Sequence, residues 1–228
     1  MSRPKLQKFA ELKTFPNVFQ CFDQRRPALI GSTGAEVSFR GRWAAGHFAN
    51  ANPITLELAC GRGEYALGLA RRLADRNFIG MDIKGARIWK GAKTALEESL
   101  SNVVFVRIQI GHLAAVFGPG EIDEIWITFP DPYLKNSKTR KRLTSPKFLA
   151  AYRNVLREGG VINLKTDSPE LFDFTLSTIA AEGHHLLERI DDVYAAGDLP
   201  EELRISTYYE RMHLAEGRVI RYLRFGLA

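Results

Sequence analysis

Leu56-Glu57-Leu58-Ala59-Cys60-Gly61-Arg62-Gly63 reads as a strand that runs into a glycine turn and opens a helix. Glycine suits Gly61 and Gly63 because a β-carbon would keep the backbone from approaching a bound cofactor, while the helix start offers free N–H groups. Downstream, short β-rich runs at Asn77–Asp82, Val103–Gln109, Glu124–Phe129 and Val161–Thr166 alternate with helical stretches such as Gly63–Asp75, Pro146–Arg157 and Ser168–Gly183. With the first such run at Ile54–Leu58, that alternation predicts a parallel sheet wound in both directions from its centre. Leu186–Tyr194 and Arg218–Gly226 read as two late strands, an antiparallel pair that closes one edge. The expected architecture is therefore α/β and doubly wound, with seven mostly parallel strands. Residues 1–50, with weak periodicity and scattered Gly and Pro, read as a basic N-terminal extension ahead of a domain at 51–228.

The 228 residues are enough for one sizeable core, and 45% hydrophobic with 25% charged residues is the balance of a soluble globular chain. No apolar run is long enough for a bilayer, and Met1-Ser2-Arg3-Pro4-Lys5 leads into no apolar leader segment, so a cytoplasmic protein is expected. Cys21 and Cys60 have no CxxC spacing, and the five histidines lack metal-ligand spacing; no metal site is expected. The net charge of +6 is unevenly placed: residues 1–53 hold eight Lys or Arg, Arg3 among them, against three acids. A second concentration, Lys135, Lys138, Arg140, Lys141 and Arg142, has no acid between Pro132 and Leu143. Either run alone is an ordinary solvated surface, but two together fit a phosphate-backbone footprint.

Gly61-Arg62-Gly63-Glu64-Tyr65-Ala66 also fits the GxGxxA dinucleotide fingerprint, and Asp82 stands where a ribose-binding acid would. The acid at Glu57 tips the reading towards S-adenosylmethionine, since a cationic cofactor tolerates a carboxylate that a pyrophosphate would not. Phe129-Pro130-Asp131-Pro132 follows the fourth strand, where open α/β sheets bind ligands. Its prolines leave Asp131 few conformations, as suits either a positioned catalytic group or a rigid turn. The basic run starts four residues after Asp131.

That combination resembles the bacterial tRNA (guanine-N7)-methyltransferase family. The resemblance rests on Pro53–Glu57 with Gly61-x-Gly63, Phe129–Pro132 with Lys135 and Lys138–Arg142, Arg142–Leu149, Lys165-Thr166-Asp167, and Thr207–Glu210 ahead of Gly217-x-x-Ile220. It spans roughly Trp43 to Phe225 and implies a Rossmann-like class I methyltransferase with one antiparallel edge strand. It also implies S-adenosylmethionine as cofactor and a guanine of the tRNA variable loop as acceptor. By resemblance Glu57, Gly61, Gly63, Asp82, Gln109 and Asp131 line the cofactor pocket, with Asp131 catalytic. Lys135, Asp167, Thr207 and Glu210 meet the substrate, and Lys138, Arg140, Lys141 and Arg142 contact RNA. The chain departs from the family where Gln109 replaces an acid, Tyr133 a tryptophan and Ser137 a basic residue; Leu134 stands where Pro or His is frequent.

Guanine N7 carries a lone pair and no proton, so attack on a sulfonium methyl needs positioning and charge stabilisation rather than a general base. Asp131 would hold and polarise the guanine, with Asp167 and Glu210 accepting from N1–H and the exocyclic amine. Competing readings are a methyltransferase acting on another RNA, a nicotinamide-dependent oxidoreductase, and a tRNA-binding protein with weakened catalysis. Monomer and homodimer are both open. Trp43 either stacks or packs, and Trp89 and Trp126 are expected to pack.

Overall fold

Ile54–Leu58 and Asn77–Asp82 are buried along their whole length, as strands covered on both faces must be. The structure, a computed structural model, describes residues 4–228, so Arg3 lies outside the described residues. In chain order, α1 (Lys5–Leu12) precedes β1 (Val18–Gln20), β2 (Leu29–Ile30), β3 (Glu36–Val37) and a π-helical turn at Trp43–Phe48. Then come β4 (Ile54–Leu58), α2 (Glu64–Arg72), β5 (Asn77–Asp82), α3 (Gly85–Glu97), β6 (Val103–Arg107) and the one-turn α4 (Leu113–Val116). β7 (Ile122–Thr128), α5 (Pro146–Arg153), β8 (Leu156–Thr166), α6 (Pro169–Ala181), β9 (His185–Ile190), α7 (Tyr208–Ala215) and β10 (Arg221–Gly226) complete the chain.

The sheet has ten strands in the order β3-β2-β1-β6-β5-β4-β7-β8-β10-β9, where seven were expected. From β1 through β8 every neighbouring pair is parallel, and winding reverses between β4 and β7. The extra strands come from the N-terminal fifty residues, of which β1 pairs parallel to β6 and buries Val18, Phe19 and Gln20. Strands of two or three residues carry no readable alternation, which is why this segment looks irregular as sequence. Trp43 packs: it is fully buried against Phe19, Phe39 and Phe117, and its indole N–H donates to the Val116 carbonyl at 3.0 Å.

Two strands, β2 and β10, run against the parallel set, and neither is at an edge. β10 is inserted between β8 and β9, antiparallel to both, so β9 forms the border. Burial explains the exchange, because β10 buries Tyr222, Leu223 and Phe225 whereas β9 has no buried residue. Two apolar layers cover the sheet. One joins α2 and α3 to Leu203, Ile205 and Tyr222; the other joins Trp43, Phe117, α5 and α6. Among the described residues no helix is long and apolar enough to cross a membrane.

Candidate active site

The carboxyl ends of β4, β5 and β7 open onto two contiguous cavities that share Ala59, Arg87, Phe129, Pro130 and Asp131. One, of about 450 Å³, reaches from Asp82 and Gln109 to Tyr133 and Phe148. The other, of about 290 Å³, runs from Glu57 and Gly61 to Asp167, Thr207 and Arg218. Between β4 and α2 the backbone turns through left-handed conformations at Ala59, Gly61 and Gly63. A β-carbon at Gly61 would come no closer than 4.0 Å to the Ala59 carbonyl, so that face is open to a ligand. Gly63 differs from expectation: its β-carbon would fall 2.3 Å from the Phe105 ring, so glycine there lets α2 seat on the sheet. Asp82 braces the turn, accepting from the Gly61 N–H at 2.9 Å with one oxygen and the Lys84 N–H at 2.8 Å with the other. Each oxygen keeps a lone pair for a further donor.

Glu57 is 2% exposed, which rules out a surface strand-end acid. Its carboxylate accepts from the Ala66 N–H at 2.9 Å and from the Thr128 hydroxyl at 3.1 Å, both neutral donors. Burial pushes its pKa from 4.5 up to about 8, opposed by those two hydrogen bonds. A buried carboxylate at a cavity wall without a cationic partner is a place for a cation to bind.

Beyond β7 the chain is strained. Phe129 and Tyr133 adopt φ of +48° and +44°, a region that bulky residues seldom enter. They bracket Pro130-Asp131-Pro132 and aim Asp131 at the junction of the cavities, where it is exposed with no hydrogen-bond or ion-pair partner among the described residues. Arg142 holds this loop from beneath. It is 5% exposed, donates to the Pro132 and Tyr133 carbonyls at 2.8 and 3.2 Å, and lies over the Phe174 ring. Arg142 therefore braces the loop and is not free for RNA, whereas Lys135, Lys138, Arg140 and Lys141 are exposed.

The far wall comes from β8 and α7. Asp167 lines the cavity and pairs with Arg218 at 2.7 Å, with His213 Nε2 3.6 Å away. Thr207 lines it too, while its hydroxyl accepts from the Glu210 N–H to begin α7. Glu210 does not reach the cavity. It is fully buried, 2.6 Å from the Lys165 ammonium, and accepts from the Tyr194 hydroxyl at 3.0 Å. Its second oxygen faces the Thr207 N–H and closes a capping box. Glu210 thus shapes the wall but has no free edge for a guanine.

The comparisons with known proteins fit this geometry. A family described as "Putative methyltransferase" matches residues 51–223. The tRNA (guanine-N(7)-)-methyltransferase of Christiangramia forsetii is 46% identical over 225 residues, covering 98% of each chain. That of Porphyromonas gingivalis is 48% identical over 218 residues, covering 95% of this chain and 86% of the relative. The chain belongs to the tRNA (guanine-N7)-methyltransferase family. The 16S rRNA methyltransferase KamB shares its fold, with a TM-score of 0.64 at 17% identity, over 85% of this chain and 96% of that one.

In this methyltransferase the cavities bring together Glu57, Gly61, Asp82, Gln109, Asp131, Asp167 and Thr207. Gln109 is exposed at the cavity rim, with its backbone N–H held by Gln24 Oε1 at 3.2 Å. Arg140 and Lys141 border the larger cavity; Lys135 and Lys138 do not line either one. Tyr209, within the Thr207–Glu210 stretch, lines the smaller cavity; sequence reading passed over Arg87, common to both cavities, and Arg62, His213 and Arg218 in the smaller. Arg62 stands between Gly61 and Gly63 and Arg87 in the first turn of α3, where a motif reading attends to the glycines alone. Their stacking on Tyr208 at 4.4 Å and Tyr209 at 5.6 Å depends on α7, more than 120 residues downstream by the numbering. Among the described residues no group of three or more His, Cys, Asp or Glu is placed to hold a metal.

Proposed function

We propose that this enzyme transfers the methyl group of S-adenosylmethionine to N7 of a guanine in the variable loop of tRNA. The observation that carries the reading is the junction of two cavities at Asp131, one walled by Asp82 and Gln109 and the other by Glu57, Asp167 and Thr207. S-adenosylmethionine, when bound, supplies an electrophilic methyl on a positive sulfur. The residues fit it: Asp82 can accept from ribose hydroxyls, Gln109 can reach an adenine edge, and the uncompensated Glu57 suits the cationic end. Gly61 leaves its wall bare of side chain.

Asp131 holds the acceptor guanine and stabilises the positive charge that spreads over the purine as N7 attacks. Asp167 accepts from the guanine edge, kept in place by Arg218, and Thr207 closes the wall behind it. No residue needs to remove a proton in the transfer itself. Lys135, Lys138, Arg140 and Lys141 bind the RNA backbone beside the loop. Residues 51–228 carry the methyltransferase domain, to whose sheet the basic N-terminal segment adds β1–β3, in a cytoplasmic protein that works as a monomer or homodimer.

The test is to incubate unmodified tRNA transcripts with labelled S-adenosylmethionine and map the methylated nucleoside by mass spectrometry. Label on N7 of one variable-loop guanine is expected. Label on another base or another RNA would keep the cofactor and overturn the acceptor.

A further inference from the structure

A second cationic cleft, of about 400 Å³, opens between α2, α3 and the segment leading into α7. Its walls carry Arg62, Arg71, Arg72, Lys90, Arg204 and Arg211, against one lining carboxylate, Glu64. Glu98 pairs with Arg71 and Asp198 with Arg204, while Glu64 pairs with Arg211. Arg62, Arg72 and Lys90 have no carboxylate partner among the described residues, and all three are exposed. These residues lie up to 149 positions apart, from Arg62 to Arg211, so no basic run announces them.

The cleft is continuous with the smaller of the two active-site cavities, since Arg62 and Glu64 line both. It belongs to the helix layer of α2 and α3, where Leu67 and Ile205 pack. The basic run at Lys135–Lys141 belongs to the opposite layer, where Leu143 and Phe148 pack beside α5. The active-site cavities open between them at the sheet's carboxyl rim. A polyanion crossing that rim meets positive charge before and after the cavity.

We propose that the Arg62–Arg72–Lys90 cleft is a second phosphate-binding track for the RNA backbone, so that the substrate bridges both helix layers and its target base enters between them. The proposal rests on the tRNA reading above. Cations without a carboxylate partner in a cleft of that size suit phosphate groups, Arg72 having given one N–H to the Gly68 carbonyl at 2.8 Å and Arg62 lying over the Tyr208 ring; neutralising phosphates releases condensed counterions and makes binding salt-dependent.

The experiment titrates an unmodified tRNA transcript against wild type, R72Q/K90Q and the charge-retaining R72K/K90R over a range of salt concentrations. Neither residue lines either active-site cavity. For R72Q/K90Q the affinity is expected to fall about tenfold at low salt, with the slope of log K against log salt shallower by about one to two. S-adenosylmethionine affinity and turnover at saturating tRNA should stay at wild-type values, and R72K/K90R should restore binding. Wild-type affinity and slope in R72Q/K90Q, from a preparation in which wild type methylates tRNA, would overturn the track and leave the enzyme's reading standing. A wild type that transfers no methyl to tRNA would overturn that reading itself.

Discussion

Glu57 on the cofactor side and Glu210 on the acceptor side are both buried glutamates beside the same cavity, yet they are satisfied in opposite ways. Glu57 receives only neutral donors, an amide and a hydroxyl, and burial drives its pKa up to about 8. Glu210 receives an ammonium at 2.6 Å, and that Lys165 is itself saturated by the Leu203 and Ile205 carbonyls at 2.8 and 3.2 Å. Burial holds the Lys165 pKa below the usual lysine value, against the opposing pull of the Glu210 carboxylate. A carboxylate already matched is architecture; one left unmatched at a cavity wall is a binding group. Both lie inside segments that resemble the same family, and only their partners tell them apart.

The difference can be broken most sharply at Lys165. Lys165→Met leaves Glu210 buried without its cation and should cost about 3–5 kcal/mol of stability, read by denaturant unfolding. Adding Glu210→Gln to Lys165→Met removes the stranded charge and should return part of that loss. A Lys165→Met protein of wild-type stability would mean that Lys165 is not what satisfies the buried Glu210 carboxylate.

Asp131 extends the comparison to a third carboxylate, one with neither a neutral nor a cationic partner among the described residues. Asp131→Ala should lower single-turnover methyl transfer by about 10²-fold or more, the scale seen when a preorganised electrostatic group is removed. Binding of tRNA, followed separately, should remain close to wild type. Near-normal transfer would remove Asp131 from the chemistry.

Local pattern carried the centre of the fold: β4 and β5 have the boundaries read from sequence, Ile54–Leu58 and Asn77–Asp82, because short β-rich runs followed by turn residues are readable strand signals. Boundaries slipped where pairing decided them. β8 begins at Leu156, five residues before the expected Val161, because Leu156 pairs with Ile122; α5 accordingly stops at Arg153 rather than Arg157. Asp82, Asp131 and Asp167 were legible because each ends or follows a strand at the rim where ligands bind. Arg142 and Glu210 were misread for a common reason. Arg142 turns back to carbonyls nine and ten residues earlier, and Glu210 meets Lys165 from 45 residues away in numbering, and neither contact leaves a local trace.

The smallest effect concerns Gln109. As an exposed neutral acceptor at the cofactor rim it gives up the strength of a charge-assisted hydrogen bond. Gln109→Glu should tighten S-adenosylmethionine binding by about 1 kcal/mol or less, measured by equilibrium titration. Weaker binding would place the cofactor's hydroxyls or adenine edge elsewhere.

Folding lifts Glu57 from 4.5 to about 8, so between those values the folded protein keeps a proton that the unfolded chain has released. Ligand-free stability therefore falls as pH rises through that window, and a cation that favours the ionised carboxylate expels the proton on binding. Calorimetric titration of S-adenosylmethionine into wild type and Glu57→Gln at pH 6 and pH 7.5, both below the α-amino pKa of about 7.7–8.0, tests this directly. Wild type should bind more tightly at the higher pH, by up to about tenfold per pH unit, and Glu57→Gln should bind weakly with little pH dependence. Equal affinities for the two proteins at both pH values would contradict the assignment of Glu57 as the group that receives the cationic donor.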